Sequence, residues 1–247
     1  MEKARVFAAG PDRQGIDRAG NFVLGWQQKP EKRWLSLLLA NLYVDKIDLD
    51  RYFSQEECRV AGFADCREFI AALKEGRLRP EDCPGLSPAK GYALSLALRA
   101  QEVLPPVQSL EFPRPLPPEL YEINDPDAGA PVLVTGNSEF TLSVLTGLLA
   151  LTVSPFFLLQ VDCRGDTADM AMIYRSFTPQ RLDQALEAQR LKDRISHRRL
   201  IIPGVLAPLK EELAGYLPGW EIIVGPICAG ELPLFLGENW QPPKDSF

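Results

Sequence analysis

Four short runs of apolar and β-branched residues constrain the fold of this chain most strongly. The runs are PVLVTG, FFLLQVD, RRLIIPG and EIIVGP, which begin at residues 131, 156, 198 and 221. Helical patterns lie between them, in SEFTLSVLTGLLA, TPQRLDQALEAQRLKD and APLKEELAGYL. Short buried strands that alternate with helices are typical of a mainly parallel sheet covered on both faces. The sequence therefore predicts an α/β fold for the second half of the chain.

The first half of the chain has a different pattern. Apolar residues recur at helical spacing in residues 33–44, 66–76 and 87–104, with Gly76 as a helix C-cap and Ser87 and Pro88 as a helix start. The first thirty residues contain RVFAAG and NFVLGW on either side of a polar stretch, which predicts a β-hairpin. The N-terminal part is therefore predicted to be mainly helical.

Prolines separate the two halves. Residues 104–120, LPPVQSLEFPRPLPPEL, contain six prolines, whose fixed φ and missing N–H exclude a long helix or a central strand. We therefore predict a hairpin and helix over 1–48, a helical domain over 49–103, a linker over 104–120 and an α/β domain over 121–247.

Composition and charge exclude several classes of function. The 247 residues are 46% hydrophobic, enough for a core, and the net charge of −6 with no basic cluster argues against nucleic acid. The strongest apolar run, residues 142–161, is broken by Ser154 and Pro155, so no membrane span or secretion signal is expected. Five cysteines, an odd number, favour a reducing cytoplasm and cysteines kept for metals or reactivity. With one histidine and no phosphate-cradling loop or hydrolase triad, an independent enzyme is not expected.

The loops that follow the four strands carry a resemblance to a known family. PVLVTGNSEFTLS, LLQVDCRGDT, ISHRRLIIPG and PGWEIIVGPICAGELPLFL resemble, in order and spacing, the C-terminal corrinoid-binding domain of the corrinoid iron-sulfur protein large (gamma) subunit. That protein serves the CO dehydrogenase/acetyl-CoA synthase system of one-carbon metabolism in anaerobes. The resemblance covers roughly residues 130–237 and implies a Rossmann or flavodoxin-like domain.

The resemblance also gives the cysteines near the N-terminus a context. In the family, a small helical domain holds a [4Fe-4S] cluster with four cysteines, and Cys58, Cys66 and Cys83 match three of them. Ala61 stands in the place of the second cysteine and has no donor atom. Residues 49–103 therefore resemble a degenerate iron-sulfur domain. Three alternatives remain: a four-iron cluster with an open iron or an oxygen ligand, a three-iron cluster, or no metal at all. The favoured alternative is the last, in which the cysteines are small buried residues.

In this chain the same resemblance implies a corrinoid (cobamide) site in the strand-end loops. Met170 stands where the family has a threonine facing the lower side of cobalt, although packing alone would explain a methionine there. Cys163 and Cys228 follow two strands and are candidates for one shared crevice, where helix-start amides would lower a thiol pKa. The simpler interpretations are a buried structural role for the two cysteines, a cap role for His197 and turn roles for the glycines. The full set is Thr135, Gly136, Asn137, Cys163, Gly165, Thr167, Met170, Ala171, His197, Gly204, Gly225, Pro226, Cys228, Ala229 and Gly230.

Three functions follow as hypotheses. The first is a corrinoid-binding methyl-group carrier, in which the cofactor does the chemistry and the protein supplies binding. The second is a non-catalytic binding or regulatory module on a degenerate scaffold, and the third is a redox protein that uses the three cysteines. The family's barrel domain is absent between the two halves, so the expected partners are a barrel-type methyltransferase, the corrinoid protein's small subunit or a second copy.

Overall fold

The computed structural model of the chain describes residues 43–105 and 113–244. Within these ranges, five strands form one mixed sheet in the order β1-β3-β2-β4-β5. Their bounds are Leu120–Ile123 (β1), Val132–Gly136 (β2), Phe156–Val161 (β3), Arg199–Ile202 (β4) and Glu221–Val224 (β5).

The four predicted strands are confirmed as β2 to β5, and they run parallel to one another. β1 pairs antiparallel with β3 at the sheet edge. It lies outside the sequence predictions because it has only four residues and begins at Leu120, the last residue of the proline-rich segment.

The strand order reverses between β2 and β4. The chain passes from β2 to β3 on one side and then to β4 on the other side of β2. β2 and β3 share five residue pairs, whereas β2 and β4 pair only at Leu133 and Ile201. The sheet is therefore least tightly paired where its order reverses.

Helices cover both faces of the sheet. Pleating sends alternate residues of β2 to opposite faces, so Val132 and Val134 join one apolar cluster and Leu133 the other. The helices on the Val132 face are Ala168–Ile173 (α6), Pro179–Ala188 (α7) and Lys210–Tyr216 (α8). Those on the Leu133 face are Pro88–Leu98 (α3), Glu139–Leu149 (α5) and Leu232–Leu236 (α9). The α/β prediction is confirmed, and so are its three helices between the strands.

The N-terminal helices are short, and side chains cap the first three of them. They are Gln55–Val60 (α1), Cys66–Lys74 (α2) and Ala100–Val103 (α4), together with α3. Ser87 caps α3 with Pro88 as its first residue, as predicted, and Gly76 at φ +70° follows the end of α2. The predicted hairpin lies outside the described residues, as do residues 33–42 of the first predicted helix.

The N-terminal helices and the sheet share one apolar cluster. Leu94 of α3 and Phe69 of α2 belong to the same cluster as Phe156 of β3 and Trp240. The Tyr92 hydroxyl also donates to the backbone oxygen of Leu151, at 2.9 Å. The bounds of the four predicted segments stay predictions. The helices before the prolines, however, form part of the layer that covers the sheet. Within the described residues, no helix is both long enough and apolar enough to cross a membrane.

Truncation of Leu94 tests this shared core. Leu94 is fully buried, so Leu94→Ala should lower the free energy of unfolding by about 2–5 kcal/mol, measured by urea denaturation with circular dichroism. The control Val60→Ala changes a side chain that is 48% exposed and should shift stability by no more than about 0.5 kcal/mol. Equal effects from the two variants would contradict a core that extends through α3.

Candidate functional site

A cavity of about 300 Å³ opens at the carboxyl ends of β2, β4 and β5. It lies just beyond the single pair that joins β2 to β4, at the reversal of strand order. Ligands of open α/β sheets bind at this kind of edge, because adjacent loops turn to opposite faces and leave a crevice. The walls are mostly apolar and come from α5, the start of α6 and the loops after β4 and β5.

Seven of the predicted site residues line this cavity. They come from β2, from α6 with the residue before it, and from the loop after β5: Thr135, Thr167, Met170, Gly225, Pro226, Cys228 and Ala229. Sequence reasoning missed several other lining residues, which are Tyr43, Phe140, Val144, Asp169, Ile227 and Leu232. Apolar residues such as Val144 carry no sequence signal that separates cavity walls from packed core.

Buried polar groups without partners lie beside the cavity. Thr135, Ser138 and Gln160 are each at most 1% exposed, and their side-chain oxygens, with the Gln160 nitrogen, have no hydrogen-bond partner among residues 43–105 and 113–244. Thr135 and Gln160 are paired residues of β2 and β3, so their side chains lie on the same face of the sheet. Ser138 is the N-cap of α5 but makes no side-chain cap bond.

Such groups are costly to bury. A buried donor or acceptor without a partner costs about 1–3 kcal/mol, so native proteins normally satisfy it with protein, water or a ligand. Gln160 was not among the predicted site residues. Its signal in the sequence was present, since it is the one polar residue in the otherwise apolar strand FFLLQV.

Asp169 forms the polar edge of the cavity near the N-terminal segment. Its carboxylate accepts hydrogen bonds from the Tyr43 hydroxyl, at 2.9 Å, and from the Thr167 hydroxyl. Burial alone would raise the pKa of Asp169, but these hydrogen bonds and those from backbone N–H groups outweigh it and lower the pKa. Burial also raises the pKa of Tyr43, together with its bond to the carboxylate. The Tyr43 to Asp169 contact thus ties the N-terminal segment to the start of α6.

Asn137 has a different role from the predicted one. Its amide donates to Leu116 O at 2.7 Å, and its oxygen accepts from the N–H groups of Cys163 at 2.8 Å and Gly165 at 3.1 Å. The side chain is therefore fully engaged in joining the loops after β2 and β3 to the end of the proline-rich segment, and it does not line the cavity.

Most of the predicted glycines lie against the protein's own backbone. A Cβ on Gly165 would come within 2.3 Å of Pro115 N, and one on Gly204 within 2.7 Å of Gly225 O. Gly136 faces Asp166 O, and Gly230 faces α4 at Ala100. These four positions bring loops close together and leave no open shelf for a ligand. Gly225, in contrast, is part of the cavity wall.

Cys163 and Cys228 do not share a crevice. Cys163 is buried with Val161 on one face of the sheet, while Cys228 lies in a separate cluster with Leu104 and Val144. Burial raises the pKa of Cys163 to about 12, and it also raises that of Cys228, despite backbone N–H groups nearby. The expectation that helix-start amides lower these pKa values is wrong, because desolvation of the thiolate is the larger effect.

His197 and Ala171 also lie away from the cavity lining. His197 precedes β4 at the opposite end of the sheet, where its Nε2 lies 3.0 Å from Ala130 O and its Nδ1 accepts from Arg199 N–H. This is a satisfied structural histidine. Ala171 is fully buried and packs α6 against the sheet.

The three N-terminal cysteines do not form one ligand set. Cys58 and Cys66 form a disulfide, with their Cα atoms 5.3 Å apart. Cys83 is a buried free thiol that lies 3.3 Å from Arg79 O, and burial raises its pKa to about 11. Across residues 43–105 and 113–244, no group of three His, Cys, Asp or Glu side chains could hold a metal. The predicted ligand trio of Cys58, Cys66 and Cys83 is therefore not supported by this geometry.

Comparison with known proteins identifies the family. Residues 108–236, slightly more than half of the chain, match the model of the CO dehydrogenase/acetyl-CoA synthase delta subunit family. The chain belongs to this family. The matched range contains the sheet, α5 to α9 and all of the cavity-lining residues except Tyr43, so the resemblance predicted from the loop motifs is confirmed.

Curated relatives carry related names. The acetyl-CoA decarbonylase/synthase complex subunit gamma of Methanopyrus kandleri is 34% identical over 124 residues, which are 50% of this chain and 27% of the relative. The subunit of the same name from Methanocaldococcus jannaschii is 25% identical over 220 residues, 85% of this chain and 43% of the relative. The corrinoid/iron-sulfur protein large subunit of Moorella thermoacetica is 33% identical over 121 residues, 49% of this chain and 27% of the relative. The matches therefore span less than half of each relative's length.

A substitution at Thr135 tests whether the unpartnered hydroxyl is held for a ligand. Thr135→Val keeps the shape of the side chain and removes a buried polar atom that has no partner in the protein. The ligand-free protein should therefore become more stable by about 1 kcal/mol in urea denaturation. Thr146→Val, at an exposed position of α5, serves as the matched control. A loss of stability at Thr135 alone would show that the hydroxyl already has a partner.

Acid should weaken the Asp169 contact. Because the folded-state pKa of Asp169 lies below its ordinary value of 3.8, its contribution is present above that value and is lost as the pH falls through the folded pKa. The stability difference between the native protein and Asp169→Asn should therefore shrink below about pH 4. Tyr43→Phe, which removes one donor, should reduce this pH-dependent part. Unfolding free energies from pH 2 to 7 would measure both, and a difference that stays constant with pH would contradict the assignment.

Proposed function

We propose that this chain is a corrinoid-binding protein that carries a methyl group, and that the cavity at the carboxyl edge of the sheet is part of its corrinoid site. The observation that carries the proposal is the coincidence of an apolar cavity with unpartnered buried hydroxyl and amide groups at the reversal of strand order. Family membership supports the same ligand class. The strand order β3-β2-β4-β5 supports it, because ligands of open α/β sheets bind where such an order reverses.

The residues present suit one part of a corrinoid. Corrinoids combine a large, mostly apolar framework with amide and hydroxyl groups, so a cavity with apolar walls and a polar end matches their chemistry. Thr135 would form the hydrogen-bonding end, with Gln160 and Ser138 beside it, while Val144 and Leu232 would pack against apolar atoms. A cavity of about 300 Å³ holds only a portion of such a molecule, so the ring would rest outside.

The rim of the cavity offers apolar surface for the remainder. Ile227 lines the cavity and is 44% exposed, and Ile173 and Tyr174, at 74% and 65%, follow Met170 along α6. When bound, the corrinoid would supply the cobalt centre that accepts and passes on a methyl group. The protein would bind and orient the corrinoid and exclude water. Of the residues that line the cavity, Met170 is the one nearest in sequence to the exposed end of α6.

The iron-sulfur part of the resemblance does not suit these residues. The sulfurs of Cys58 and Cys66 are bonded to each other and Ala61 has no donor atom, so of the four matched positions only Cys83 offers a free thiol. No step of the proposed function therefore involves a cluster in this chain.

Partners belong to the same proposal. The related subunits are named as parts of an acetyl-CoA decarbonylase/synthase complex, and this chain matches less than half of their length. A methyl carrier must meet a methyl donor and an acceptor, so we expect a barrel-type methyltransferase, a corrinoid-protein small subunit or a second copy to cover the exposed ring. A cytoplasmic location agrees with these partners.

A non-catalytic binding or regulatory module is the second candidate. The contact between Tyr43 and Asp169 favours it, because it holds the Tyr43 side chain at the edge of a small cavity and limits access by a large ring. In that case the cavity would hold a smaller ligand with one hydrogen-bonding head. Retention of cobalt distinguishes the two functions.

Reconstitution tests the proposal. The protein is purified without oxygen, incubated with hydroxocobalamin, freed of excess, and analysed for cobalt content and visible spectrum. We expect one cobalt per chain with a spectrum showing that the cofactor's own base is displaced. Thr135→Val should weaken binding about tenfold, as expected for the loss of one hydrogen bond, and Thr146→Val should leave it unchanged. If the native protein retains no cobalt, the corrinoid proposal fails and the binding-module function takes its place.

A further inference from the structure

The disulfide between Cys58 and Cys66 joins two short helices in the part of the chain that resembles an iron-sulfur domain. Cys58 lies in the last turns of α1, and Cys66 is the first residue of α2. Ala61, which replaces the cysteine expected between them, is the C-cap of α1. With that donor absent, the two remaining sulfurs lie at bonding distance from each other, and Cys83 stays apart as a thiol.

The two sulfurs differ in accessibility. Cys58 is fully buried in the cluster shared by the helices and the sheet. Cys66 is partly exposed and lines a hollow together with Asp50, Phe53, Gln55, Asp65 and Arg67. A thiolate attacks a disulfide along the line of its two sulfurs and needs access to one of them. Only Cys66 offers that access from solvent.

The surroundings of Cys66 also suit a sulfur that carries charge during exchange. It occupies the first position of a nine-residue helix, and the N–H groups of a first turn stabilise negative charge. The Asp65 side chain takes up one of these donors, the N–H of Glu68, and Arg67 lines the same hollow as Cys66.

The helices do not depend on the disulfide alone. Phe69 of α2 makes edge contacts with Phe53 and Phe63, at ring-centroid distances of 5.1 and 5.6 Å. Glu57 of α1 forms an ion pair with Lys90 of α3. The segment therefore has apolar and ionic contacts that hold its fold when the disulfide opens, so the bond can form and break without global unfolding.

We propose that Cys58 and Cys66 are a reversible thiol–disulfide couple, in which Cys66 is the sulfur attacked by an external dithiol and Cys58 is the buried leaving sulfur. Disulfides of proteins in reducing compartments are usually transient and redox-active, in agreement with this assignment. The proposal does not depend on corrinoid binding, because it concerns α1 and α2 and not the cavity at the sheet edge.

The exchange balances as a two-electron reaction. A thiolate of the dithiol attacks Cys66 Sγ, a new S–S bond forms, the Cys58–Cys66 bond breaks, and its electron pair leaves on Cys58 Sγ, which takes a proton. The second thiolate of the reductant then attacks the reductant's first sulfur, which is bonded to Cys66 in the mixed disulfide. The bond to Cys66 breaks, and Cys66 is released as a thiolate. The protein gains two thiols and the dithiol becomes a disulfide, so the reverse reaction needs an oxidised dithiol.

The other cysteines should take no part. Cys83, Cys163 and Cys228 are all buried, and none of them lies in the hollow beside Cys66. Two of the five cysteines should therefore respond to the redox state of the solution.

Redox titration of the full chain tests the couple. The anaerobically purified protein is equilibrated with mixtures of reduced and oxidised dithiothreitol, quenched with acid, unfolded and alkylated with a mass-tagged maleimide. We expect two cysteines, identified by peptide mass spectrometry as Cys58 and Cys66, to change together with a single midpoint. In the folded, reduced protein, Cys66 should be alkylated at least tenfold faster than the other four cysteines.

Variants separate the roles of the two sulfurs. Cys58→Ser should accumulate a mixed disulfide at Cys66 when treated with oxidised glutathione, whereas Cys66→Ser should accumulate none at Cys58. Cys83→Ala is the matched control and should leave the midpoint unchanged, and circular dichroism should show that each variant is folded. The proposal is overturned if Cys58 and Cys66 remain thiols at every ratio, if they react independently, or if the purified protein holds iron or zinc that is released when the cysteines are alkylated.

Discussion

Burial of β2 and β3 on both faces is the constraint on which the rest of the structure depends. Every residue of these two strands is buried, so each polar atom they carry needs a partner that solvent cannot supply. The backbone groups find partners in the sheet and in the loops, and Asn137 supplies three hydrogen bonds at the strand ends. The side chains of Thr135 and Gln160 find none. The same burial that stabilises the sheet therefore leaves these two side chains without a partner among the described residues.

The reversal of strand order turns this marked place into a cavity. Because β2 and β4 pair at only one position, the sheet opens toward its carboxyl edge, and α5 and α6 lie on opposite faces of the opening. The N-terminal segment then reaches the same edge through Tyr43 and Asp169. Helices that precede the proline-rich segment also share the core of the sheet, so the N-terminal part of the chain contributes both to the stability of the site and to its access.

The chain retains the spacing of a metal-binding segment but not its chemistry. Ala61 supplies no thiolate at the position of the second cysteine, while the helices around it keep their caps and aromatic contacts. Cys58 and Cys66 are instead bonded to each other as a disulfide. Inheritance of a cysteine pattern and inheritance of a metal site are separate questions, and the geometry of the remaining sulfurs decides the second.

The sequence predicted the four parallel strands and the helices between them, because periods of hydrophobicity and the residues of turns and caps are local properties. The same local signals predicted that residues of the strand-end loops would line a ligand site, and seven of the predicted residues line the cavity at the sheet edge. Local signals could not show which of the predicted glycines line the cavity and which lie against backbone. The space beside Gly165 and Gly204 is filled by backbone atoms from other parts of the chain, which the pattern around each glycine does not reveal. They also placed His197 and Asn137 at a site, although one lies at the far end of the sheet and the other joins loops. The sequence by itself determined the four parallel strands, the helices between them and the sheet edge at which their loops meet. The direction of each side chain, the pairing of Cys58 with Cys66 and the absence of a described partner for Thr135 and Gln160 depend on which atoms become neighbours when the layers pack, so only the tertiary structure decided them.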